Sequence, residues 1–215
     1  MNTSSHPSNP TRQALLLTGL EHARAHGFRT LTVRGVCAAA GINTGSFVYH
    51  FGQREAFVAE LIESWYRPLL DTLQWQLDRD ADPLTRLAGM LRQLFTFASH
   101  NGEFIGQILL DAGSGEKAVR AFLRGLAPRH PQMILRCIED AQAAGQVCGA
   151  PALHQLMFLM ASLGMPLVAQ RLLCGKDVLP DVIEEALTRF AIDTQCLEER
   201  LGWALRGLRP GECPS

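Results

Sequence analysis

What this chain lacks narrows it first. It carries no P-loop, no HExxH, no GxSxG and no GxGxxG behind a strand, so nucleotide, zinc-peptidase and hydrolase chemistries find no anchor. The six cysteines, at 37, 137, 148, 174, 196 and 213, are scattered, with no CxxC pair and no Cys/His cluster at zinc spacing. No metal, no cofactor and no enzymatic activity are expected, and the cysteines read as free thiols of a reducing compartment. His100, His130 and His154 stand isolated, and the acidic run of Asp78 and Asp80 to Asp82 reads as capping and solvation rather than a metal site. No stretch reaches the roughly 18 consecutive apolar residues that cross a bilayer. The opening MNTSSHPSNP has neither Lys nor Arg and no apolar stretch behind it, which excludes a signal peptide. A cytoplasmic protein is expected. Strict apolar–polar alternation never survives more than a few residues, so no strand is expected either.

What remains is a helical pattern in a chain long enough for one large domain or two small ones. Apolar residues make up 47%, ample for a packed core. The net charge is −1, which rules out a generic polyanion binder, but its distribution is uneven. Residues 1–55 hold five Arg against two Glu, whereas residues 56–215 hold fifteen basic and nineteen acidic side chains. Any favourable phosphate interaction therefore belongs to the N-terminal part.

The most informative stretch is TVRGVCAAAGINTGSFVYHFGQREAF, Thr32 to Phe57. Thr32 is suited to cap a helix whose apolar face is Val33, Val36, Cys37 and Ala40. Gly41 supplies the left-handed backbone that ends it. Asn43 caps the next helix, where Phe47 and Phe51 share a face and Thr44, Ser46, Val48, Tyr49 and His50 take the other. Two short helices around a tight turn, the second with an outward polar side, are what a helix-turn-helix requires. Gly45 lets the start of that second helix approach a phosphate closely.

In this stretch and just before it the chain resembles the tetracycline-repressor-like (TetR) family. The matching positions are Gly27, Thr32-Val33, Ala40-Gly41-Ile42, Gly45-Ser46-Phe47, His50-Phe51 and Arg54-Glu55, and the resemblance covers roughly Gln13 to Phe57. It implies an all-α fold: a three-helix DNA-binding head at 11–56, and a ligand-binding and dimerisation body at 57–209, about nine helices, between an N-terminal arm (1–10) and a tail (210–215). It implies that Thr32, Arg34 and Ser46 touch phosphate, that Tyr49 and His50 hold the DNA backbone, and that Arg54 sits where the family has a phosphate-binding Lys. Thr44, Gly45 and Val48 would face bases, with Asn43 at the helix start beside them. Position 48 is commonly Tyr in the family and is Val here, so the operator sequence is not transferable. Cys37 in place of Ala, and His22-Ala23 in place of Leu-Phe, are size changes in the head's core.

Beyond the head, Pro68 predicts a kink or break near Ser64 to Arg67. Asp82-Pro83 opens a helix that Asn101-Gly102 ends. Shorter helices follow to Gly145, and two long ones close the chain, about Ala152 to Leu173 and Asp181 to Arg206. The resemblance places a dimer interface on those two, with Met160, Leu163, Leu187, Phe190, Leu197 and Leu201 as candidates. It also implies an enclosed site for a small apolar ligand. Candidate linings are Trp65, Met90, Phe97, Phe104, Met133 and Met157, with His100, Gln107 and Arg136 as polar contacts. The expected function is a homodimeric, sequence-specific transcriptional regulator, a repressor released from a palindromic DNA operator by a small-molecule inducer. The alternative is a DNA-binding protein of the same fold without an inducer, acting architecturally or through a protein partner.

Overall fold

The computed structural model describes residues 9–77 and 81–211. Asp78 and Asp80 of the acidic run, Cys213, most of the N-terminal arm and the end of the tail lie outside them. All regular structure among the described residues is helical, in eleven helices. They form two compact units: residues 1–66 with 107–124, and residues 67–106 with 125–215.

The first unit begins with α1 (Pro10–His26), α2 (Val33–Ala40) and α3 (Thr44–Phe51). Each opens on a side-chain cap that sequence alone allows: Asn9 accepts from Thr11 N–H, Thr32 from Gly35 N–H and Asn43 from Ser46 N–H. Their shared core is Leu15, Ala23, Phe28, Leu31, Val36, Cys37 and Phe47. α4 (Arg54–Leu77) starts in this unit and supplies Phe57, Val58, Leu61 and Ile62 to the core. The expected break at Pro68 does not occur; α4 runs through it unbroken. The ring stands on the exposed side, so the helix loses the proline's own hydrogen bond while the turns around it continue.

Residues 107–124 were expected in the body, yet they pack with the head. They comprise the second half of α6 (Gly102–Gly113) and all of α7 (Lys117–Arg124). Phe122 of α7 meets Tyr66 edge-on at 5.3 Å.

In the second unit α5 (Pro83–His100) packs against α8 (His130–Ala143), α9 (Ala152–Leu173) and α11 (Thr194–Gly207). Asp82 caps α5 through Thr85 N–H, as its Asp-Pro start suggests. The core here is built from Leu87, Met90 and Leu91 of α5, Ile134 and Ile138 of α8, Leu159 and Leu163 of α9, and Leu201 of α11. The predicted last helix is in fact two. α10 (Asp181–Ile192) ends at Asp193, whose extended backbone and carboxylate cap α11 through Cys196 N–H at 3.0 Å. Arg200 of α11 is 4% exposed and ties three helices together, donating to Leu163 O and Ala191 O with its guanidinium over the Phe190 ring.

Cys37, Cys137, Cys174 and Cys196 are free thiols, but Cys148 is disulfide-bonded, which corrects the expectation for that residue. Burial pushes the Cys137 thiol up to about 11, so it behaves as a small apolar side chain, 3.3 Å from Met90 Sδ.

Candidate nucleic-acid interface

The turn between α2 and α3 is fixed by backbone chemistry. Gly41 has φ +66° and ψ 27°, the left-handed conformation that glycine adopts at no steric cost, and Ile42 N–H closes back on Cys37 O at 2.9 Å. Asn43 then starts α3, its Oδ1 accepting from Ser46 N–H at 2.8 Å.

Beneath α3 lies an aromatic platform. Phe47 and Phe51 each meet Phe57 at 4.9 and 4.7 Å between ring centroids, in edge-to-face arrangement. α1 reaches this platform through Gly19, where a Cβ would come within 2.6 Å of the Phe57 ring; only glycine allows that approach. A side chain larger than hydrogen there would push the ring away from Phe47.

With its inner face locked, α3 presents the other face outward. Tyr49 is 83% exposed and Val48 56%. Thr44 and Gly45 are exposed at the helix start, Ser46 and His50 half-buried beside them. His50 packs edge-on between Tyr49 and Phe51, which fixes its place on the helix. On α2, Arg34 is exposed, and Thr32 holds Gly35 N–H with an oxygen lone pair while its own O–H stays available to donate. Nine of the ten predicted positions, Thr32, Arg34, Asn43, Thr44, Gly45, Ser46, Val48, Tyr49 and His50, thus stand on α2, α3 or their caps, exposed or half-buried.

The tenth, Arg54, has a different job. Its Nε donates to Leu31 O at 2.7 Å, its Nη2 to Phe28 O, and both Nη atoms to Glu116 at 3.2 and 3.0 Å. The guanidinium is spent inside the unit rather than offered to phosphate. Beside it, Asp111, 4% exposed, accepts from Phe28 N–H at 2.6 Å. Gly27, at φ +80°, lies so close to Gln107 that a Cβ would sit 2.4 Å from its amide nitrogen. Residues 107–116 therefore form a clasp on the connection between α1 and α2. Sequence reasoning missed Asp111 and Glu116, because an acid after an apolar helix looks like any loop residue.

The residues from 15 to 61 match the family model for bacterial regulatory proteins of the tetR family. That stretch is a TetR-family DNA-binding head. Among curated relatives, the transcriptional repressor DhaR of Mycobacterium sp. (strain GP1) is 25% identical over 64% of this chain and 70% of its own length. The transcriptional regulator AcuR of Cereibacter sphaeroides is 30% identical over 63% of this chain and 64% of its own length. Among solved structures, the SmeT–triclosan complex superposes with a TM-score of 0.71 at 18% identity, covering 96% of this chain and 95% of that one, a likeness of fold. These relatives support a DNA-binding regulator.

The other predicted sites fare differently. Leu163, Leu197 and Leu201, expected at a dimer interface, are buried in the second unit's own core, and Met160, Leu187 and Phe190 are half-buried. The exposed apolar stripe of α9 is instead Leu153, Met157, Met165, Val168 and Leu172, at spacings of three, four or eight residues along one face. α9 is long and apolar enough to cross a membrane by length and composition, but its opposite face is packed into the unit through Leu156, Leu159 and Leu163.

The ligand candidates fall in both units. Met90, Phe104 and Met133 are buried, and Arg136 and Met157 exposed. Trp65 and Gln107 belong to the first unit. Phe97 and His100 line a cleft of about 260 Å³, with Pro68, Leu69, Thr72, Gln93, Thr96 and Asn101.

Proposed function

We propose that the chain is a homodimeric transcriptional repressor that reads a palindromic operator through α3 and releases it when a small molecule occupies the second unit. The observation that carries the DNA-reading part is the 83% exposed Tyr49 on a helix whose other face is held by Phe47, Phe51 and Phe57. Such a helix has one surface to offer and little freedom to offer another. Dimerisation is supported by the apolar stripe of α9, because a row of exposed Leu, Met and Val favours a covered state. Two-fold symmetry would place two recognition helices on half-sites about 34 Å apart. Response to a ligand is supported by chain continuity: α4 and α6 each run from one unit into the other. A ligand acts only through a difference in affinity between the DNA-competent and DNA-incompetent arrangements.

The test is fluorescence anisotropy with DNA from upstream of the chain's own gene, titrated against salt and random competitor. Binding that survives competitor, at two subunits per site, is expected. Tyr49→Ala is expected to weaken it by roughly tenfold or more, with sedimentation and thermal midpoint unchanged, since the exposed ring has no core contact to lose. Operator binding as tight as the parent's would remove α3 from the interface.

A further inference from the structure

A second opening lies beside the cleft at Phe97. It measures about 90 Å³ and is lined by Gln76, Thr85, Arg86, Arg92 and Gln93, over the backbone of Gly89. Gln93 lines both. The residues concerned follow one face of each helix: 68, 69, 72 and 76 on α4, and 85, 89, 93, 96 and 100 on α5. The two openings are therefore ends of one groove between α4 and α5, inside the second unit.

Its ends differ in chemistry. At the narrow end none of the described lining residues is a carboxylate, while Arg86 and Arg92 are donors only. Asp140 engages Arg86 through Nη2 alone, and Glu198 engages Arg92 through Nε and Nη2, which leaves Nη1 of each. Gln76 is 8% exposed with its amide lining this end, and Gly89 makes the room, since a Cβ there would stand 2.9 Å from Gln76 Oε1. Gln76 brings one acceptor oxygen and two N–H donors, and with two guanidinium groups beside it donors outnumber acceptors, which fits an acceptor-only ligand group. The wide end is Pro68, Leu69 and the Phe97 ring, an apolar bed rimmed by hydroxyls.

We propose that this groove binds an elongated monocarboxylic acid, its carboxylate between Gln76, Arg86 and Arg92 and its apolar body past Gln93 against Phe97. This rests on the reading of the second unit as ligand-responsive, and it replaces a wholly apolar inducer with an anionic one. None of the described residues lining the groove is acidic, Asp140 and Glu198 engage the two arginines from outside that lining, and planar guanidinium donors match a carboxylate's two oxygens.

The test uses the full chain without DNA and two probes that differ in one group, 3-phenylpropionate and 3-phenylpropanol. Both are titrated by NMR on protein labelled with ¹⁵N at arginine. The acid is expected to bind at least about tenfold more tightly than the alcohol, and to shift the Nε signals of Arg86 and Arg92, which the alcohol leaves in place. In Arg92→Gln and Arg86→Gln the preference is expected to fall below about threefold while alcohol affinity holds, which also shows that the groove is still folded. Equal binding of the two probes, binding of neither up to its solubility, or a preference that survives both substitutions would overturn the proposal. Operator anisotropy on the same preparation separates the two readings: DNA binding that stands while the acid fails leaves the regulator intact and removes only the ligand class.

Discussion

Phe47 is fully buried, and its value to the protein is positional. It holds the inner face of α3 so that Val48 and Tyr49 point outward. Truncation to Ala would open a cavity beneath α3, and Phe→Ala in a core costs about 3–5 kcal/mol. Phe47→Ala is expected to lower the first unit's stability by that order in urea unfolding and to weaken DNA binding with it, in contrast to Tyr49→Ala. Asp111 acts at the same scale. Its carboxylate takes the Phe28 amide in a buried hydrogen bond, and an amide in its place accepts more weakly. In Asp111→Asn the Phe28 N–H is expected to exchange with deuterium at least about tenfold faster, an opening cost of the size of one charge-assisted hydrogen bond. An unchanged rate would mean that the clasp on the α1–α2 connection is held by other contacts.

Helices here differ in what surrounds them more than in what they are made of. α9 is apolar on both sides, one side packed on its own unit and the other exposed. Met165 sits in the middle of the exposed stripe at 56% exposure. Met165→Glu places a charge on each copy of the face proposed to be covered in the dimer, where an unpaired carboxylate is costly. The expected result is dissociation to monomer at micromolar concentration, read by sedimentation, with the helical circular-dichroism signal intact. A dimer of undiminished affinity would place the interface elsewhere. The break at Asp193 belongs to this scale too. Ile183, Leu187, Phe190, Thr194, Leu197 and Leu201 keep helical spacing across it, so periodicity alone read one helix. The break needed the geometry of the cap, in which one carboxylate serves Cys196 N–H and starts a second helix.

At the scale of the molecule, pH should act through His130. Burial pushes its pKa down to about 4 from 6.5. The unfolded chain therefore binds a proton that the folded chain refuses between those values, and stability falls as pH drops through that window. The hydrogen-bonded carboxylates Asp82 and Asp193, and Glu198 beside Arg92, are held below the usual range, so their contribution is lost at lower pH. The thermal midpoint is expected to decline by several degrees from pH 7 to 4.5, and His130→Gln to flatten that decline. An equal slope in the variant would assign it to other groups.

The head was legible because its determinants are local. Caps at Thr32 and Asn43, the left-handed Gly41, and Phe47 with Phe51 four residues apart are all set within one or two helical turns, and a family pattern at that spacing reinforced them. The helical class followed from the missing strand alternation. What sequence could not rank was burial. Leu163, Leu197 and Leu201 and the exposed stripe of α9 are equally apolar, and only packing decides which of them meets its own chain. Nor could it pair residues far apart. The contact of Asp111 with Phe28 spans 83 positions, and that of Arg54 with Glu116 spans 62. Periodicity reports neighbours along a helix; the face of the α4–α5 groove, the clasp and the inward turn of Arg54 arise from closing the chain on itself, where a side chain's partner is chosen by distance in space.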